Sequence, residues 1–169
     1  TKSKADKNAK YHYNIGNDLY SRMLDKEMIY SCAYWKRAKT LDKAQIDKLD
    51  LICRKLDLKP GMKVLDIGSG WGALLRYAAK NYGIIGLGIS PADAQVNYAK
   101  SKAGKLKVEY RQMDYRDLTG KFDRIISVGM MEHVGPKNLA TFFAKSGAIS
   151  IATFEIDTLF KYKIPSPYT

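Results

Sequence analysis

Acidic residues are scarce in this sequence: 17 Asp and Glu against 29 Lys and Arg leave a net charge of +12 over 169 residues. Such an imbalance favours a polyanionic partner, and nucleic acid or an anionic membrane surface would both satisfy it. The lysines are spread through KSKADKNAK, KRAK, KSKAGKLK and KYK and never form the dense block of a nucleic-acid tail, so each run also reads as a solvated face. Cysteine is almost absent. Cys32 and Cys53 are too few for a disulfide framework and too far apart for a CxxC motif, which predicts free thiols in a reducing compartment. Histidine is limited to His12 and His133, and a Glu132-His133 metal pair is disfavoured because neighbouring side chains at a strand end point apart. No apolar run approaches the roughly 20 residues that span a bilayer. The polar, lysine-rich start TKSKADKNAK lacks the apolar core of a signal peptide, and the expected location is cytoplasmic.

What is present divides near residue 40. Residues 1–40 are rich in tyrosine and turn formers and predict short helices and loops folded over something as a lid; residues 41–169 predict a single α/β domain. Thr40 reads as the N-cap of a helix through LDKAQIDKLDLICRKLDL, stopped by Lys59-Pro60-Gly61. Strands are then predicted at 63–67, 84–89, 108–112, 123–128 and 148–154, with helices at 71–81, 91–103 and 136–145. Mostly apolar strands alternating with helices make a parallel sheet covered on both faces.

The first strand runs into VLDIGSGWGALL, where Gly68, Gly70 and Gly72 open a turn over which a ligand can approach the backbone. The spacing also satisfies a dinucleotide fingerprint, so two neighbours decide. Asp66 stands inside the strand, where it reaches a cationic amino group rather than a ribose. The second strand ends in Ser90 and not in the acid that a dinucleotide site requires, and the GK[ST] tail of a P-loop is missing. S-adenosylmethionine (SAM) is the cofactor these features favour.

The motifs YHYNIGNDLYSRMLD, YSCAYW, LKPGMKVLDIGSGWG, MDYRDL and FDRIISVGMMEHVGPKN, in that order over residues 10–138, resemble the cyclopropane-fatty-acyl-phospholipid synthases and mycolic-acid cyclopropane synthases. The resemblance implies a class I SAM-dependent methyltransferase with a Rossmann-like core, acting on cis double bonds of lipid acyl chains at an anionic membrane surface. Matched residue by residue, it lays Tyr30 and Ser31 over SAM and puts Asp66, Gly68, Gly70 and Gly72 on its methionine side. Ser90 and Gln95 fall on the ribose, and Asp114 and Tyr115 on the adenine. It also implies a bicarbonate ion as catalytic base, held by Cys32 and Glu132. An alkene has no acidic proton to lose before it attacks the sulfonium methyl; the resulting carbocation needs a dry, anionic site and a base. Cys32 as a nucleophile lacks a paired base in sequence, and His133 reads equally as a structural residue.

Beyond Asn138 the resemblance decays. Thr153 or a near neighbour stands where relatives carry a histidine, and the resemblance implies two further strands and a catalytic tyrosine that this sequence lacks. A truncated or frame-shifted product, a fragment and a diverged SAM- or lipid-binding module are the readings left open, as is homo-oligomerisation. An RNA methyltransferase would carry a target-base motif such as NPPY after the fourth strand, and none is there.

Overall fold

The computed structural model describes residues 17–156, and over 148–156 the backbone alone. In chain order the elements are α1 (Asn17–Met23), α2 (Leu41–Lys55), β1 (Lys63–Ile67), α3 (Ala73–Tyr82), β2 (Ile85–Ser90), α4 (Asp93–Ala103), β3 (Val108–Gln112), a 3-10 turn (Tyr115–Asp117), β4 (Phe122–Ser127), α5 (Met131–Val134), α6 (Pro136–Ile149) and β5 (Ser150–Ile156).

All five strands are parallel and lie in the order β3-β2-β1-β4-β5. The chain therefore winds outward from β1 in one direction to β3, then returns to β1's other side for β4 and β5. The cleft between the two directions, at the carboxyl ends of β1 and β4, is where sheets of this kind take ligands. Alternate residues feed opposite faces. Val64 and Ile126 join a core with Leu49, Ile52 and Cys53 of α2, Leu74, Leu75 and Ala78 of α3, and Val96 and Ala99 of α4. Leu65, Ile67 and Ile125 join the opposite core with Leu118, Phe122 and Phe142 of α6.

Local chemistry sets the boundaries. The Thr40 side chain accepts from the backbone N–H of Lys43, and the last turn of α2 carries Arg54 and Lys55 against the helix dipole. That helix ends at Lys55, four residues before the expected Lys-Pro-Gly stop, because Asp57 turns the backbone to φ 48° and sends Leu56 and Leu58 into the core. Likewise α3 begins at Ala73 instead of Trp71, since Gly68, Gly70 and Gly72 hold φ of 87°, 52° and 82°, outside helical geometry. The segment after β4, read from sequence as a strand end, is the helical turn α5, set between positive-φ Gly129 and Gly135.

The lid expected over residues 1–40 is described from Asn17 onward; Tyr11, His12 and Tyr13 lie outside the described residues, as does FKYKIP near the other end. From Asn17 it is anchored through one aromatic stack. Trp71, 2% exposed, lies 4.8 Å from the Tyr20 ring and donates from Nε1 to Asn17 Oδ1 at 2.9 Å. Arg76 reinforces the junction, donating to the Trp71 carbonyl at 2.5 Å and to Glu27 Oε2 at 3.0 Å.

Gly72 is where the strands and α3 come closest. A Cβ there would lie 2.6 Å from Tyr110 Cζ and 2.8 Å from Ala99 Cβ, at a φ that L side chains avoid. Gly72→Ala is expected to cost about 2–4 kcal/mol, the sum of a strained φ and an overpacked contact. Urea unfolding measures it as a lowered midpoint at unchanged slope.

Candidate functional site

A cavity of 740 Å³ opens at the carboxyl ends of the strands, within the size range of small-molecule sites. Its floor is the end of β1 and the glycine turn, Asp66 to Trp71. Ile89, Ser90 and Gln95 close one side, Met113 to Arg116 the next, and Val128, Gly129, Met130 and His133 the far side. Met28 to Ser31 of the segment after α1 form the cover, together with Lys48, Leu49 and Ile52 of α2.

Asp66 is the unusual group. It is 3% exposed, and burial alone pushes its carboxyl up to about 7. Among the described residues no donor bonds to it, so the carboxylate is costly until a cation arrives. The three glycines do different jobs. Gly70 faces open space; a Cβ on Gly68 would strike Met130 Cβ at 2.6 Å, and one on Gly72 would strike Tyr110. Gly72 thus supports the turn from beneath and is not on the cavity wall. Tyr110 meets it by donating its hydroxyl to the Gly72 carbonyl at 2.7 Å.

Ser90 and Gln95, expected at a ribose, meet each other: Ser90 Oγ donates to Gln95 Oε1 at 2.8 Å, and both side chains are buried on the wall. Asp114 caps the 3-10 turn through the Arg116 N–H at 2.8 Å and holds the Arg116 guanidinium by two further bonds of 2.8 and 2.5 Å. Tyr115 lies beside it on the wall, its ring under that guanidinium and against Phe142. Tyr30 is 57% exposed and meets Tyr20 edge-on at 5.6 Å; Ser31 is half-buried on the cover.

The two expected holders of a base stand apart from the wall. Cys32 and Glu132 are both exposed and neither lines the cavity, whereas their neighbours Ser31 and His133 do. Cys53 is buried, which pushes its thiol up to about 12 and leaves it inert. Thr153 falls on β5, paired in register with Arg124. Among the described residues no three His, Cys, Asp or Glu side chains cluster to hold a metal ion, and no helix is long and apolar enough to cross a membrane.

Sequence reasoning missed Lys48. Its α2 pattern reads as an exposed polar position, yet the residue is 1% exposed and its Nζ meets Ser31 Oγ at 2.5 Å. The signal available was its place three residues after Gln45, which puts both on one helical face. Gln45 donates to the carbonyls of Ile29 and Ser31 at 3.3 and 3.0 Å.

Solved structures share this fold. The mycolic acid cyclopropane synthase CmaA1, complexed with SAH and CTAB, superposes with a TM-score of 0.85 at 31% identity, covering 89% of this chain and 55% of that one. The cyclopropane synthase MmaA2 from Mycobacterium tuberculosis gives a TM-score of 0.86 at 32% identity, with the same coverage of 89% and 55%. The fold is thus the Rossmann-like core of class I SAM-dependent methyltransferases. A family model described as mycolic acid cyclopropane synthetase matches residues 1–152, and the chain belongs to that family. Among curated relatives, the cyclopropane-fatty-acyl-phospholipid synthase of Escherichia coli K12 is 56% identical over 135 residues, 80% of this chain but 35% of that synthase. The chain spans about a third to a half of the length of the relatives it matches.

Asp66 has a pH signature. Its folded pKa of about 7 lies above the ordinary 3.8, so the folded state holds the proton more tightly between those values. The ligand-free protein is expected to lose roughly 2–4 kcal/mol of stability through this group as pH rises from about 4 to about 7, with little change from it beyond. Unfolding curves of wild type and Asp66→Asn across that range test this, the difference between the two isolating the slope.

Proposed function

We propose that this chain transfers a methylene group from SAM to the cis double bond of unsaturated acyl chains in phospholipids, forming a cyclopropane ring. The observation that carries the cofactor reading is Asp66, a buried carboxylate that no donor reaches among the described residues, on a cavity wall beside an open glycine backbone. The residues present fit SAM: the cavity is of ligand size, Asp66 offers a charge to the cationic amino group, and Gly70 leaves the backbone accessible. When bound, SAM supplies an electrophilic methyl on a sulfonium.

The chain's own residues then bind, orient and exclude water. Ser90 and Gln95 present a hydroxyl and an amide suited to a ribose diol, and Tyr115 an aromatic face beside the capped Asp114 for the base. Tyr30 and Ser31 cover the cofactor, with residues 1–40 as lid. Ile29, Leu49, Ile52 and Met130 make the cover and far wall apolar, which a carbocation on the lipid requires if water is not to trap it. Cys32 and Glu132 would hold a bicarbonate ion, which would supply the base for the proton lost on ring closure. Both side chains are exposed, and beside them Ser31 approaches Gly129, whose added Cβ would lie 3.7 Å from Ser31 Cβ. The substrate reading is supported by the 56% identity with the E. coli phospholipid synthase, and the net charge of +12 suits a cytoplasmic protein working at an anionic membrane surface.

A second reading, a SAM- or lipid-binding module without the reaction, is favoured by one observation: Cys32 and Glu132 do not line the cavity. Two measurements separate the readings. Calorimetry is expected to show SAM binding in the micromolar range, and no heat with no thermal shift removes the cofactor claim. Vesicles of unsaturated anionic phospholipid, incubated with protein and methyl-labelled SAM, are expected to gain labelled cyclopropane acyl chains; measured SAM binding without product selects the binding module.

A further inference from the structure

Lys48 is buried in α2 and does not face solvent, so its Nζ must spend its donors on protein groups. Among the described residues its Nζ reaches Ser31 Oγ at 2.5 Å and the Ser31 carbonyl at 3.4 Å. One turn earlier, Gln45 donates to the same carbonyl and to that of Ile29, and its own Oε1 stays buried without a partner. Two polar side chains of α2 therefore hold the cover of the cavity at Ser31, one of them at the cost of an orphaned acceptor.

The chemistry of the pair has a direction. An ammonium has donors and no acceptor, so in this contact Ser31 Oγ accepts. The hydroxyl proton of Ser31 is left to point elsewhere, and Ser31 lines the cavity. We propose that Lys48 is a positioning residue that turns the Ser31 hydroxyl into a fixed donor toward the carboxylate at the amino-acid end of the bound cofactor. This rests on the SAM reading above. The sheet order supplies the end: Ser31 abuts Gly129, just past β4, and Asp66 lies one residue before the end of the neighbouring strand β1, whereas Ser90, Gln95 and Tyr115 belong to the β2-β3 side where the nucleoside is read. A carboxylate and an ammonium on the same carbon would then meet Ser31 and Asp66 respectively.

The test compares two ligands that share a nucleoside. S-adenosylhomocysteine carries the amino-acid end and 5′-methylthioadenosine lacks it. In calorimetric titrations of the full chain, Lys48→Met is expected to weaken S-adenosylhomocysteine about tenfold and leave methylthioadenosine within about twofold. Lys48→Gln, whose amide also accepts, is expected to do the same and serves if the Met variant does not fold. Ser31→Ala is expected to show the same selective loss, and the double variant no more than either single one. Equal weakening of both ligands, no weakening of S-adenosylhomocysteine, or additive losses in the double variant overturns the proposal. Wild-type protein that binds neither ligand overturns the SAM reading itself, and this inference with it.

Discussion

The site depends on a close approach that only missing side chains allow. The Tyr110 ring of β3 passes beneath the glycine turn because neither Gly72 nor Gly88 carries a Cβ; one on Gly88 would lie 2.7 Å from Tyr110 Cδ1 and 2.8 Å from Ser69 Oγ. The Tyr110 hydroxyl then ties the turn from below through the Gly72 carbonyl. Two strands, the turn after β1 and the start of α3 meet at that point. The turn can lift its backbone toward a ligand because an aromatic ring, not water, supports its underside.

On this base the site is made of polar groups buried before they have work to do. Among the described residues no donor reaches Asp66 in β1, and Lys48 sits in the cover against Ser31. A buried carboxylate is costly by itself, and a ligand bearing a cationic amino group offsets that cost. The cover is kept in register by ordinary means. Asp25 accepts from the Ile29 N–H at 2.7 Å and the Glu27 N–H at 3.1 Å, and Met28 accepts a φ of 59° to let that turn close. The Tyr20-Trp71 stack presses the result onto the glycine turn.

Much of this was legible along the chain. Five apolar strands alternating with helices are what a doubly covered parallel sheet requires, and the glycine turn with Asp66 singled out SAM among nucleotide cofactors. Element ends were displaced wherever a left-handed residue intervened, as at Asp57 and in the glycine turn, since φ is not written in hydrophobic periodicity. The segment GMMEHVG was misread for the same reason. Two positive-φ glycines confine it to a helical turn, which faces His133 to the cavity and leaves Glu132 outside.

Composition, strand-helix alternation and residue spacing by themselves determined the class of fold and the kind of ligand, because burial on both faces of a sheet demands apolar strands and a cofactor backbone approach demands glycine. Only the tertiary structure decided which of the named residues share a wall. It separated Cys32 and Glu132 from the cavity, gave Gly72 to Tyr110, and drew in Lys48, whose only local mark is a helical face shared with Gln45. The physical reason is that a side chain's role follows from what lies across from it, and the neighbours of Lys48 stand 17 residues away along the chain.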